Sequence, residues 1–442
     1  MALVVPFRAL RYDPREVPDL GAVVAPPYDV ISPEARETLL ARHPHNCVRL
    51  ILEAGEDRYE RTARRFSDWR QTGILRRDPR PAFYLVEDRY HVRDATGHDV
   101  ERRRRGLLAL VRIEPPGPRG ILPHERTLAR PRDDRFRLMS AVNAHLSPVF
   151  LLAPDKDGSL ASLLEEASGS ETLAEFTEGP DASHRLARAE APALTARIRA
   201  ALADRPLLIA DGHHRYETAR AYRDRRREDS GRERGPDGTG REAYEFVMAL
   251  VASMDDPGTT VLGYHRVVRE TGLTPDALRA RLARTLTVER IAGRGERGGL
   301  ERLLTAMTEA DGRSENAFGL GLGGDDGLYL ARRPRDLASP PLARLDVSVL
   351  HHAVFEAALG MTEEDFTEQR RIDYTPDAEA ALARTDSGGH AAAFLLNPTP
   401  ASSVLAIASG GEVMPQKSTY FYPKLLTGLT FHPMDPGDTL DG

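Results

Sequence analysis

The 442-residue sequence predicts a mixed α/β (α+β) protein, and three segments carry that prediction. Segment 82–113 reads as a β-hairpin: Ala82-Phe-Tyr-Leu-Val86, the turn Asp94-Ala-Thr-Gly97, then Gly106 to Ile113. Leu194, Ile198 and Leu202 recur every four positions and lay one apolar stripe along a helix that Pro206 stops. Leu207-Leu-Ile-Ala210 is then a short buried strand running straight into Asp211-Gly-His-His-Arg215 and an arginine-rich helix. Strands and helices do not alternate regularly enough for a Rossmann fold or a TIM barrel.

The remaining elements follow in order. The return strand of the hairpin carries Arg102 to Arg105, expected on a solvated edge strand, with a phosphate patch as the alternative. Pro115-Pro-Gly-Pro-Arg-Gly120 is a break, and Val149-Phe-Leu-Leu152 a buried strand. Arg225 to Arg241, rich in Gly and charge, is expected to be a solvated, mobile loop. Tyr244 to Ala252 resumes the core, and Leu278, Leu282 and Leu286 mark a helix. Ala393–Leu396 and Val404–Ala408 flank Asn397-Pro-Thr-Pro400 as a hairpin or strand pair. These breaks divide the chain into an N-terminal α+β region 1–115, a central region 116–255 and a C-terminal α+β region 256–442.

Composition narrows the function. No run approaches the ~18 apolar residues of a membrane span, and Met1 to Arg8 has no basic leader. The one cysteine, Cys47, excludes an intramolecular disulfide and a Cys-based zinc cluster. A cytoplasmic protein is expected. A net charge of −6 argues against general nucleic-acid binding. Of 61 Lys and Arg, three are lysines: Lys156, Lys417 and Lys424. A lysine kept where arginine is otherwise used points to a need for a compact ammonium rather than a planar fork.

Three motifs carry candidate chemistry. In Asp211-Gly-His-His-Arg215, a strand ends at a helix start, where free N–H groups and the helix dipole favour anions. Gly212 permits close backbone approach, His213 and His214 crowd the turn, and Arg215 adds a bidentate contact. The plainer alternative makes Asp211 a helix cap and the histidines packing residues. In Pro123-His-Glu-Arg-Thr127, Glu125 in a His/Arg/Thr setting suits a general base, with a solvated loop as the alternative, whereas Leu128 breaks the zinc-protease spacing. Pro415-Gln-Lys-Ser-Thr-Tyr-Phe-Tyr-Pro-Lys424 groups Lys417, Ser418, Thr419 and Lys424 for anion contact but lacks P-loop spacing. Ala25-Pro-Pro-Tyr-Asp-Val30 is a rigid corner presenting Tyr28 and Asp29.

Those four motifs, taken in chain order and with Asp134-Arg135 after the second, resemble a prokaryotic family known as domain-of-unknown-function family 1015. Asp211-Gly-His-His-Arg-Tyr216 also resembles the nucleotide-phosphate motif of the ParB/sulfiredoxin superfamily, especially its free serine kinases. That resemblance implies a ParB-like nucleotide-site core with additional mixed-sheet subdomains, and by analogy makes Glu125 the base.

The resulting expectation is a small-molecule kinase using Mg²⁺ with ATP or ADP. The nucleotide phosphates lie on Asp211, Gly212, His213, His214 and Arg215. Lys417, Ser418, Thr419 and Lys424 complete the anion contacts, and Tyr28, Asp29, His124, Thr127 and Arg135 face the substrate. Two alternatives stand beside it: a phosphatase of a small phosphomonoester with His213 or His214 as acid or nucleophile, and a non-catalytic nucleotide-binding regulator. A resident metal, the acceptor and the oligomeric state are left open, and no membrane partner is expected.

Overall fold

A computed structural model describes the chain except residues 1–2, 116, 118–119, 126–128, 180, 230–239, 368–369, 436–437, 439 and 441–442. It is mixed α/β, in two compact units. The first comprises Met1–Tyr90, Arg102–Thr259 and Pro423–Gly442; the second comprises His91–Glu101 and Thr260–Tyr422. No helix among the described residues is long and apolar enough to cross a membrane.

The first unit is built on a nine-stranded mixed sheet. Its strands include β1 (Phe83–Arg93), β2 (Asp99–Arg112), β3 (Ile121–Leu122), β4 (Val149–Ala153), β5 (Glu171–Glu178), β6 (Ala182–Ala189), β7 (Leu207–Asp211) and β8 (Phe246–Ser253). They run β3-β7-β4-β8-β2-β1-β6-β5, with Val4–Val5 paired to β2. β3 is parallel to β7 and β8 is parallel to β4, while β7 opposes β4 and β8 opposes β2. Alternate residues of the strands enter one core, among them Leu107, Ala109 and Val111, Leu207 and Ile209, and Val247, Ala249 and Val251. The helix Pro192–Leu202 covers them with Leu194, Ile198 and Leu202, as the four-residue spacing predicts.

The end of the chain returns to this unit. Ala25 and Thr427 exchange both backbone hydrogen bonds at 3.1 and 2.8 Å, and Leu10 and Phe431 do the same at 3.0 and 2.8 Å. Phe431, fully buried, packs beside Tyr12, Phe66 and Trp69 in a second core.

The second unit holds an antiparallel sheet of β9 (His265–Val268), β10 (Thr287–Gly293), β11 (Glu315–Leu322), β12 (Gly327–Pro334), β13 (Ile372–Thr375) and β14 (Ala392–Leu396). The order is β10-β12-β11-β14-β9-β13. Helices Gly299–Gly312 and Ala378–Asp386 pack on it through Leu303, Met307, Ala310 and Ala381.

Four expectations are corrected. The strand bearing Arg102–Arg105 is central, and Arg104 and Arg105 are buried because Asp88 and Glu87 on β1 neutralise them. Val404–Ala408 belongs to a helix, Ala401–Ser409, not to a strand. Pro400 starts that helix, and Val404, Ile407 and Ala408 form its buried face at helical spacing. Arg225–Asp229 is the last turn of the helix His213–Asp229, closed by the Arg225–Asp229 pair at 3.1 Å. The rest of the expected loop, 230–239, lies outside the described residues. The helix with Leu278 and Leu282 ends at Leu282, so Leu286 is buried beyond it.

Candidate functional site

The site begins where β7 ends. The strand must turn into the helix His213–Asp229 within one residue, and Gly212 does this at φ +90°. That left-handed conformation suits glycine, and a Cβ there would stand 2.9 Å from the Arg215 guanidinium carbon. The helix therefore starts at His213.

Asp211 is the electrostatic centre. Lys424 Nζ donates to its Oδ1 at 2.6 Å, and Arg215 Nη2 donates to its Oδ2. The other Arg215 terminal nitrogen donates to the Pro148 carbonyl. Burial pushes the Asp211 carboxyl up, but Lys424 and Arg215 outweigh it and hold the group well below the usual carboxylate range. One carboxylate thus faces two cations at a helix start.

β3 lies parallel beside β7 and delivers Pro123-His124-Glu125 to the same end of the sheet. His124 is fully buried; its Nδ1–H donates to the Ile209 carbonyl at 2.7 Å. Its backbone N–H donates to His213 Nε2 at 3.3 Å, and the two rings meet edge-to-face at 4.6 Å. Burial pushes His124 down to about 4. Burial, followed by the His124 charge, pushes His213 well below its ordinary value. Both imidazoles are therefore neutral at pH 7, with His213 carrying its proton on Nδ1. His214 and Glu125 are partly buried.

A second group lies alongside. Arg135 stacks over the Tyr28 ring at 4.1 Å and donates to the Ile51 carbonyl at 2.7 Å. Tyr28, Arg135 and Arg215 line one small pocket with His145, Ser147 and Thr218. Burial, then the Asp29 charge, raises the Tyr28 hydroxyl pKa, while Asp29 itself is exposed.

The first unit thus assembles Tyr28, His124, Glu125, Arg135, Asp211, Gly212, His213, His214, Arg215 and Lys424. Thr127 lies outside the described residues. Lys417, Ser418 and Thr419 belong to the second unit. There Lys417 has φ +58°, its ammonium sits 5.6 Å above the Tyr264 ring, and its carbonyl accepts from Arg266 at 3.0 Å.

Sequence reasoning missed a buried support for Lys424. Arg104, 1% exposed, donates to Asp88 at 3.0 and 2.6 Å and to the Pro423 carbonyl at 2.6 Å. His184 Nδ1 donates to the other Asp88 oxygen at 2.8 Å. The signal lay in the hairpin register: pairing about Asp94–His98 sets the acidic pair Glu87-Asp88 opposite Arg104-Arg105.

Among solved structures, the chain is similar to a conserved hypothetical protein from Pyrococcus furiosus, at 16% identity and a TM-score of 0.32, over 68% of this chain and 86% of that one. It is similar to a free serine kinase in complex with AMP, at 14% identity and a TM-score of 0.33, over 68% and 83%. SbnI with C-terminal truncation, from Staphylococcus aureus, matches at 12% identity and a TM-score of 0.35, over 75% and 90%. No curated protein matches the chain. The family described as protein of unknown function (DUF1015) matches residues 4–348, which hold three of the four motifs, with Pro415–Lys424 beyond them. The chain belongs to that family.

Proposed function

We propose that the first unit binds the phosphates of ATP or ADP at Gly212–Arg215 and that the protein transfers a phosphoryl group to the hydroxyl of a small metabolite. The observation that supports this reading is the two-cation, one-carboxylate cluster at a helix start, with Lys424 and Arg215 both on Asp211. Phosphoryl transfer depends mainly on positioning and charge stabilisation, which is what such a cluster offers. The resemblance of Asp211–Tyr216 to the free-serine-kinase motif points the same way.

The residues fit a nucleotide phosphate: a helix start at His213 beside the Lys424 and Arg215 cations. Asp211 has both oxygens engaged by cations, and Glu125, carried by β3 to the same end of the sheet, would be the carboxylate that meets Mg²⁺ or the acceptor hydroxyl. When bound, the Mg²⁺–nucleotide would supply the phosphoryl group and part of its charge neutralisation. In this reading Glu125 takes the acceptor proton as the new O–P bond forms. Lys424, Arg215 and the helix N–H groups hold the oxygens as the bond to the leaving nucleotide breaks. His124 and His213, neutral and engaged with each other, keep the turn in place. Tyr28 and Arg135 line the acceptor side. The cytoplasm, where ATP and ADP are held, is the compartment this reading assigns.

A non-catalytic nucleotide-binding role is the second reading, favoured by the commitment of Asp211 to its two cations. Thermal shift with ATP, ADP, AMP and phosphate, with and without Mg²⁺, followed by product analysis, separates the two. Glu125→Gln should keep nucleotide binding and lower turnover by about 10²–10⁴-fold. Binding without turnover in the unaltered protein selects the regulator. Unchanged nucleotide affinity in a folded Arg215→Ala variant removes the site.

A further inference from the structure

The second unit contains a segment that neither the sequence motifs nor the phosphoryl-transfer reading uses. Leu350–Glu356 is a π-helix, and on it His351, His352 and Glu356 turn toward one another. His352 Nδ1 stands 2.7 Å from Glu356 Oε2, and His351 Nε2 stands 3.3 Å from Oε1. One ligand atom from each of the three residues lies within 4.8 Å of the others.

The π turn is the informative part. A His352–Glu356 pair at i,i+4 forms on any α-helix. His351 and Glu356 are five apart, and at 3.6 residues per turn an α-helix would point them roughly 140° away from each other. Closure by i→i+5 bonds brings Glu356 back over His351, so the same carboxylate faces both imidazoles. The Ala357 N–H to His352 carbonyl bond, 3.1 Å, is one of those closures. π segments are rare and recur at functional sites.

The surroundings suit an ion. His351 is anchored, its ring 4.2 Å from Phe366, whereas His352 and Glu356 face solvent and leave a way in. We propose that His351, His352 and Glu356 form a binding site for one divalent transition-metal ion of the zinc class. Two imidazoles and a carboxylate match that class, and magnesium prefers an all-oxygen shell. Zn–ligand bonds of about 2.0–2.1 Å set tetrahedral donors roughly 3.3–3.5 Å apart, so small side-chain rotations suffice. Three protein ligands leave a further position open. The site lies beyond residues 4–348 and is independent of the nucleotide reading.

The test uses the untagged full-length chain, stripped with a chelator and titrated with Zn²⁺ against a chromogenic chelator, with Co²⁺ absorption as a second probe. One equivalent should bind, millimolar Mg²⁺ should not compete, and His351→Ala, His352→Ala and Glu356→Gln should each weaken binding at least about 10-fold. His91→Ala, which removes another exposed His–carboxylate pair (His91–Asp99), should leave the affinity unchanged. His352 is exposed, so its variant reports on the site even if His351→Ala does not fold. Substoichiometric binding, or affinity insensitive to both His352→Ala and Glu356→Gln, overturns the proposal.

Discussion

Lys424 Nζ meets Asp211 Oδ1 at 2.6 Å, although 213 positions separate the two residues. The contact joins the last motif of the chain to the strand–helix turn. It also explains why a lysine stands there: Asp211 already holds the planar fork of Arg215 on its other oxygen. A compact ammonium fits beside that fork.

Lys424→Met should therefore weaken ADP or phosphate binding by about 10–100-fold, the equivalent of ~1.5–3 kcal/mol for a charge-assisted hydrogen bond. Lys424→Arg should weaken it as well. Lys156→Arg, at an exposed turn residue, should leave it unchanged. Lys417→Arg is expected to impair activity while the fold survives. Titration calorimetry and product assays on the four variants decide. Identical behaviour of the three arginine variants would end the argument from lysine scarcity.

Gly212→Ala places a methyl group in a left-handed conformation and against Arg215. The expected outcome is a loss of more than about 1 kcal/mol of stability together with lower anion affinity. Thermal unfolding and phosphate titration measure the two effects. Unchanged values in both would mean that Arg215 moves aside without consequence.

Arg104 is buried against Asp88 and the Pro423 carbonyl. Removing one partner of a buried ion pair leaves an uncompensated charge, so Arg104→Met should destabilise by ~3–5 kcal/mol. The double variant Arg104→Met/Asp88→Asn should lose less than the sum of the single losses. Thermal unfolding of the four proteins in the cycle provides the comparison.

His184 gives the pH prediction. Burial lowers its pKa, but Asp88 and Glu178 more than reverse this and raise it to about 9. The folded value thus exceeds the ordinary 6.5, so its contribution is complete below about pH 6.5 and fades as pH rises through 9. His184→Gln should flatten the decline of the unfolding midpoint between pH 6.5 and 9. An unaltered slope would show that the Asp88–His184 pair does not titrate there.

The local parts of the fold were legible because they depend on short-range periodicity. Leu194, Ile198 and Leu202 announce their helix, and the turn Asp94–Gly97 announces the hairpin. Burial of the arginine run was not read, since it depends on which strands flank β2. The hairpin register nevertheless already paired Asp88 with Arg104. Val404–Ala408 was misread because a short apolar run has the same composition as a strand or a buried helix face. Within the candidate site, the strand end at Asp211, the turn at Gly212 and the helix that follows were legible, because they are local. Its link to Lys424 could not be foreseen, because contacts over 213 positions leave no local pattern.

The return of Pro423–Gly442 to the first unit has a consequence for how the chain is made. Synthesis proceeds from the N-terminus, so Ala25 and Leu10 wait for Thr427 and Phe431, their backbone partners, until some four hundred further residues have been made. The second unit, whose residues run from His91 to Tyr422, emerges complete before that point. The nascent chain therefore carries a finished later-coded unit while the earlier-coded one is unfinished, and Lys424 reaches Asp211 only after the second unit has been made. The contact between Lys424 and Asp211 is therefore made between segments separated in time as well as in sequence.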